Sequence, residues 1–338
     1  MRHAAIKRIK RTVLQAARTA GIFRLMADSP WRRNRLLILC YHGLSLRDEH
    51  VWNPLLYITP ERFREHMELI RHRRANVLAL DDAIDRLQAG TLPRRSVAIT
   101  FDDGFYDFYR HAWPTLREFE LPCTVYLTTY YCKHHLPVFD LTVDYLLWKS
   151  GARMLDGKPL GLEESLDLST MQARWRSTSM VREFTRRNRL SALEKDAFAR
   201  RLAEFLNIDY AALVDDRLFQ IMRPEQVRES ARAGIAIELH THRHRTPEDR
   251  ELFVREVRDN CAEIMALTGR QPRHFCYPSG VYKREFLSWL AESGVRTATT
   301  CDEGFSTARD NLLLLPRLLD DSRVSLEEFD AWLCGVPN

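Results

Sequence analysis

The sequence predicts an α/β fold built on parallel strands. Short apolar, β-favouring runs alternate with amphipathic helical patterns along most of the 338 residues, and the polar residues with chemistry to offer fall just after those runs. Alternation of this kind calls for parallel strands joined by crossover helices. The expected strands are 36–40, 97–101, 123–128, 235–239, 274–277 and 296–300. After the first, Thr59-Pro60-Glu61 reads as a helix start, with threonine as the cap and proline at the first helical position. Phe63, Met67 and Ile70 then follow at spacings four and three, one helical face. Residues 81–87 repeat the pattern and stop at Gly90, and a longer helix over 248–267 ends at Gly269.

Residues 129–222 interrupt the alternation. Tyr130-Tyr131, His134-His135 and Phe139-Asp140 come first, an apolar stretch over 143–148 follows, and a charged, helix-favouring segment runs from about 171 to 213. This reads as a mainly helical insertion between core strands, either a lid shaping access or inert peripheral packing. His134 and His135 are expected on its surface rather than in a second metal site.

The most informative stretch is Val97-Ala98-Ile99-Thr100-Phe101-Asp102-Asp103-Gly104. Adjacent carboxylates at the end of a buried strand repel each other and resist desolvation, so a core gains nothing from them. They make sense if one binds a cation and the other handles protons; the plain alternative is a solvated Asp-Asp-Gly turn. A second apolar run, 235–239, ends in His240-Thr241-His242-Arg243-His244. Imidazole binds divalent metals through a neutral nitrogen, and two histidines with one carboxylate make a common open site.

Together these pieces resemble the polysaccharide deacetylase family, also called the NodB-homology or carbohydrate esterase 4 family. Its Thr-Phe-Asp-Asp-Gly motif is present at 100–104 and its His-(Ser/Thr)-x-x-His motif at 240–244. The resemblance covers roughly 36–128 and 223–320, and implies a distorted, incomplete (β/α) barrel with its chemistry at the carboxyl ends of the strands. By position it makes Asp102 the general base and Asp103, His240 and His244 the ligands of one divalent metal, zinc first, with manganese, cobalt or nickel as alternatives. His242 falls on a variable position.

Two family motifs have departed. Phe275-Cys276-Tyr277-Pro278-Ser279-Gly280 stands where Phe-Arg-Pro-Pro-Tyr-Gly is usual, so Cys276 replaces the arginine that orients the base. Cysteine cannot make that forked, charged hydrogen bond; Arg273 and Lys283 are the candidates to replace it. Tyr277, Ser279 and Gly280 are the expected substrate and oxyanion residues. The C-terminal Leu-x-His motif is absent, its region reading Leu312-Leu313-Leu314-Leu315-Pro316-Arg317. Biofilm exopolysaccharide deacetylases of the superfamily carry the acid on a Tyr-His segment near the start, which makes His42, in Tyr41-His42-Gly43, the expected acid.

Residues 1–35 hold ten Lys or Arg against one acid, Asp28, a net +9 in a chain of net +5. Ile6, Ile9, Val13, Ala16, Ala20 and Phe23 recur at helical spacing, with Lys7, Arg8, Lys10, Arg11 and Arg18 largely opposite. A basic amphipathic helix suits an anionic membrane surface; the alternative is a helix packed on the barrel. Nucleic acid is not an expected partner, because the charge is confined to one end. No secretory signal or membrane span is apparent, and seven cysteines without a Cys-x-x-Cys pair fit a reduced compartment. The expected organisation is a basic segment (1–35), a catalytic domain (36–328) and a C-terminal tail (329–338), cytoplasmic or peripheral on the inner membrane face. The expected function is metal-dependent removal of an N-acetyl or other N-acyl group from an amino sugar, in a polysaccharide or a lipid- or nucleotide-linked precursor, during surface-glycan assembly. A catalytically inactive, glycan-binding barrel is the alternative.

Overall fold

Leu37–Tyr41 (β1) and Ser96–Phe101 (β2) are buried at every position, as strands covered on both faces should be. The computed structural model describes residues 2–336, with side chains from Ile9 onward. Five further strands complete the core: Thr124–Leu127 (β3), Ala236–Leu239 (β4), His274–Cys276 (β5), Thr297–Glu303 (β6) and Leu315–Leu319 (β7). All pair in parallel, in the order β1-β7-β6-β5-β4-β3-β2, and β2 returns to β1, so the ring of seven closes. The registers Leu37↔Val97 and Leu39↔Leu318 place β1 between the second and last strands.

The six expected strands are all present. β7 is not among the expected strands, and its Pro316 removes a ladder donor in mid-run. The chain accommodates it at a register shift between β6 and β7. The helix Pro60–His72 starts at the Thr59 cap and buries Phe63, Met67 and Ile70, and Leu80–Ala89 ends at the left-handed Gly90. Arg250–Thr268, capped by Asp249, begins two residues later than the spacing gives and stops at Gly269.

Between β3 and β4 the chain forms helices Phe139–Lys149, Met171–Arg187, Ala192–Phe205 and Tyr210–Asp215. Their apolar faces build a separate cluster around Val143, Leu146, Val181 and Leu202, which meets the barrel rim at Tyr57 and Phe219.

Both chain ends correct the expected organisation. Residues from 329 are no tail: Ser325 and Glu328 form a capping box for the helix Leu326–Cys334, whose Phe329, Trp332 and Leu333 are buried. Pro337 and Asn338 lie outside the described residues. The N-terminal helix Arg2–Thr19 packs on that C-terminal helix through Leu14, with Phe23 and Ala27 beside it. Lys10, Arg11 and Arg18 pair with Glu328, Glu327 and Asp330. Phe23 therefore leaves the expected apolar stripe, whereas Ile9 and Val13 stay 64% and 60% exposed and Leu25 74%. Ile6, Lys7 and Arg8 lie outside the described side chains. No helix among the described residues is long and apolar enough to cross a membrane.

Arg32 anchors this arrangement. Fully buried, it donates to the carbonyls of Arg35, Ser96 and Leu333, joining the N-terminal segment, β2 and the C-terminal helix. Arg32→Ala leaves those acceptors without a donor and should cost about 2–4 kcal/mol. Urea unfolding of the variant checks it; an unchanged midpoint would show that the N-terminal segment contributes nothing to the barrel.

Candidate active site

The carboxyl ends of β1, β2, β4 and β5 converge on one cavity of about 440 Å³, lined by His42, Asp102, Asp103, His240, His244 and Ser279 among others. Local backbone geometry sets the side chains. The Asp102 N–H donates to Tyr41 O at 2.9 Å, continuing the β1–β2 pairing by one residue. Asp103 then turns left-handed, φ 67°, with its carbonyl accepting from Thr128 N–H at 3.1 Å. Gly104 is left-handed as well, φ 78°, and a Cβ there would also stand 2.5 Å from Leu127 Cδ1 of β3, which is why the Asp-Asp pair is followed by glycine. Thr241 and His244 are also left-handed, at φ 62° and 52°. Strain at three non-glycine residues of one site persists only where surrounding contacts over-determine the backbone.

Those contacts come from the helix after β4. Asn260, fully buried, accepts from His240 N–H and donates to Leu127 O and Thr129 Oγ1, each at 2.9 Å. His240 Nδ1 bonds Cys276 O at 2.9 Å, which fixes the ring and turns Nε2 toward Asp103 and the cavity. The Nε2 atoms of His240 and His244 stand 3.3 and 3.2 Å from Asp103 Oδ1. Burial opposes ionisation of Asp103, but the two imidazoles, His244 foremost, outweigh it and hold the carboxyl below its usual range.

The three atoms lie within 4.8 Å of one another, the compass of a single ion. Two imidazole nitrogens and a carboxylate, with one imidazole fixed by its second nitrogen, fit a divalent metal. Two other groups among the described residues, Cys40/His42/Asp102 and Asp102/His240/Cys276, have comparable spacing. Both depend on Asp102, whose oxygens are already engaged.

Asp102 is held by Arg317. The guanidinium makes two parallel bonds to it, Nη1 to Oδ1 and Nη2 to Oδ2, both 2.8 Å, and donates through Nε to Thr300 O at 2.9 Å. Cys276 Sγ sits 3.1 Å from Nη2 and 3.3 Å from Asp102 Oδ2. Burial alone would push the Asp102 carboxyl up; Arg317, aided by His42 and His240, instead holds it well below the usual carboxylate range. The arginine missing beside Phe275 is thus supplied from β7. This corrects the expectation for Arg273 and Lys283: the first pairs with Asp81 and the second with Glu248, both at the surface. His42 Nε2 lies 3.6 Å from Asp102 Oδ2.

The 275–280 turn needs a further correction. Tyr277 is buried, with its hydroxyl donating to Leu313 O at 3.1 Å and its N–H to Thr299 O at 3.2 Å. The Gly280 N–H is used within the turn, on Tyr277 O at 2.9 Å. Neither residue lines the cavity; Ser279, left-handed at φ 56°, does. His242 bonds Thr129 Oγ1 at 2.9 Å, away from the ligand set. Sequence reasoning missed Arg317 and Asn260. Each carried a signal: Arg317 ends an otherwise apolar run, and Asn260 sits on the buried helix face of Phe253, Val257 and Ile264.

A closed parallel barrel with a carboxylate–bis-histidine set and a second, ion-paired carboxylate at its strand ends defines a class of metal-site α/β barrels. The chain belongs to the polysaccharide deacetylase family, whose model matches residues 89–298. Among curated proteins it is similar to the poly-beta-1,6-N-acetyl-D-glucosamine N-deacetylases of Staphylococcus epidermidis, 32% identical over 109 residues, and Escherichia coli K12, 26% identical over 99 residues. Each match covers 29% of this chain, and 38% and 14% of the respective relative. Among solved structures, the deacetylase PplD of Streptococcus pyogenes in complex with acetate superposes with TM-score 0.57 at 18% identity, covering 87% of this chain and 96% of that one. IcaB from Ammonifex degensii gives TM-score 0.54 at 17% identity, covering 89% and 97%.

Replacing Asp103, His240 or His244 singly with alanine should weaken zinc binding by at least about tenfold, read by titration against a competing chelator. Lys283→Ala should leave it unchanged. Wild-type zinc affinity in all three ligand variants would dissolve the assignment.

Proposed function

We propose that the protein hydrolyses the N-acyl amide of an acylated amino sugar, with an N-acetyl group as the first candidate. The observation that carries this reading is Asp102 kept ionised by Arg317 beside the Asp103/His240/His244 set, at the floor of a sugar-sized cavity. A divalent ion held by those three residues, zinc first, would polarise the amide carbonyl and acidify water, so that a weak base suffices. Asp102 is such a base: the pairing that guarantees its charge also lowers its basicity. In the reaction the Asp102 carboxylate accepts a proton from water as the water oxygen bonds the carbonyl carbon. The carbon–nitrogen bond then breaks, and protonated His42 passes its proton to the departing amine. A carboxylic acid and a free amino sugar are the products. Ser279 faces the same space and is the turn residue left to bind substrate. The inactive-barrel alternative draws on the losses at Cys276 and in the C-terminal motif; Arg317 on Asp102 and His42 in the same cavity favour the enzyme reading over it.

Asp102→Asn should retain zinc and lose nearly all turnover, because an amide does not accept the proton. His42→Ala should retain zinc with turnover down about 10²–10⁴-fold. Arg317→Lys keeps a charge but not the fork and should lower turnover about 10–100-fold. Acetate release from N-acetyl amino-sugar substrates is the measurement; undiminished release by Asp102→Asn refutes the assignment.

We also place the protein at an anionic membrane surface, the inner face of the cytoplasmic membrane. Exposed Ile9, Val13 and Leu25 lie in a segment of net +9. Lys10, Arg11 and Arg18 are paired with the C-terminal helix and Arg32 is buried, but Arg24 and Arg33 stay exposed beside the apolar residues, a combination that suits a lipid headgroup layer. Val13→Asp with Leu25→Asp should reduce co-sedimentation with phosphatidylglycerol vesicles several-fold while leaving urea stability unchanged. Substitution is the cleaner test, because deleting 1–35 would also remove the buried Phe23 and Arg32. Equal sedimentation of variant and wild type would refute the membrane placement.

A further inference from the structure

A second cavity, about 360 Å³, opens beside the first between the barrel rim and the insertion. Tyr131, Asp140 and Arg243 line both, so the two spaces meet at those side chains. The second cavity is cationic by construction. Arg243 and Arg245, from the loop after β4, both donate to one oxygen of Glu256, at 3.1 and 2.7 Å. Glu256 is buried, and a single carboxylate against two guanidiniums leaves one positive charge over in a fixed geometry. Lys195 projects from the helix Ala192–Phe205 with its Nζ 5.7 Å from the Phe139 ring centroid and no ion pair among the described residues. Two carboxylates face the same cavity, each with an arginine beside it, although Arg182 also pairs with Asp144 at 3.1 Å. Asp140 lies 3.6 Å from Arg182 Nε. Asp196 lies 3.5 Å from Arg200 Nη2 and accepts from the Tyr210 hydroxyl at 2.6 Å. Around the cavity five cations stand against four carboxylates, a surplus of one positive charge beside aromatic walls.

We propose that this cavity takes the phosphate or diphosphate on the anomeric carbon of the amino sugar, making a phosphate-linked precursor, rather than a neutral polymer, the substrate. The inference rests on the N-deacylase reading of the first cavity. In a 2-amino sugar the acylated nitrogen and the anomeric oxygen sit on adjacent carbons. A sugar with its amide at Asp102 and His42 therefore directs its anomeric substituent into neighbouring space, and Arg243 stands where the two cavities join. Guanidiniums held rigid by Glu256 match the forked geometry of phosphate oxygens, and Lys195 adds a point charge. A neutral glycan in the same place would desolvate these cations without replacing their water.

Three substrates sharing one acylated sugar test this: uridine-diphosphate N-acetylglucosamine, farnesyl-diphosphate N-acetylglucosamine, and a neutral β-1,6-linked N-acetylglucosamine tetramer. At least one diphosphate substrate should show kcat/KM ten or more times that of the tetramer, with the advantage in KM, and the better of the two identifies a nucleotide or a lipid carrier. Lys195→Ala should reduce that advantage about five- to tenfold with the tetramer unaffected, and Lys195→Arg should restore it. A tetramer as good as both, or a Lys195→Ala effect equal on all three, overturns the proposal. Calorimetry with farnesyl diphosphate alone reads the cavity without turnover: Kd should rise at least fivefold in Lys195→Ala, and an unchanged Kd overturns the anion site. Lys195-dependent binding without acetate release from any substrate would instead sustain the anion site and sink the N-deacylase reading.

Discussion

The Arg317–Asp102 ion pair is the interaction on which the site depends. Both partners are buried inside the barrel, where an unpaired charge would cost several kcal/mol and even a paired one stabilises little. Its value lies in position. Arg317 stands on β7 and Asp102 follows β2, the two neighbours of β1, so the bridge spans the strand that carries His42. The proposed base, Asp102, and the proposed acid, His42, are thereby placed at one end of the same ring closure. With Asp102 saturated by two guanidinium bonds, its neighbour Asp103 is the carboxylate left to the histidines.

The strained backbone follows from the same division of labour. Adjacent residues of a strand point to opposite faces, yet Asp102 and Asp103 both line the cavity. The left-handed turn at Asp103 reconciles them, and the crowded Gly104 lets it happen against β3. At the histidine loop the left-handed Thr241 and His244 bring His244 back onto the Asp103 oxygen that His240 already faces. Glu256 and Asn260, one helical turn apart on the following helix, tie that loop down from behind.

The insertion extends the site outward. Its helices carry their own apolar cluster, so they stand as a firm wall rather than a loose loop, and they bring Asp140, Arg182 and Lys195 beside a barrel whose interior is otherwise given over to packing. The chain ends serve the opposite pole: the N-terminal and C-terminal helices pack together, and Arg32 ties them to the barrel strands.

Much of this was legible in the sequence because it is local. Short runs of four to six apolar or β-favouring residues marked six of the strands, caps and glycines marked the helix limits, and the Asp-Asp-Gly and His-x-x-x-His spacings marked which residues stand at strand ends. The partner of Asp102 was not legible. Arg317 is 215 residues away in sequence, and nothing in Leu-Pro-Arg announces that the barrel closes there. The same holds for Asn260, for the burial of Tyr277, and for the cavity that Lys195 shares with Arg243 and Arg245. Periodicity states which way a side chain faces within its own element. Only closure of the ring and docking of the insertion decide which distant charge it meets, because those contacts are set by the packing of whole elements and not by neighbours in the chain.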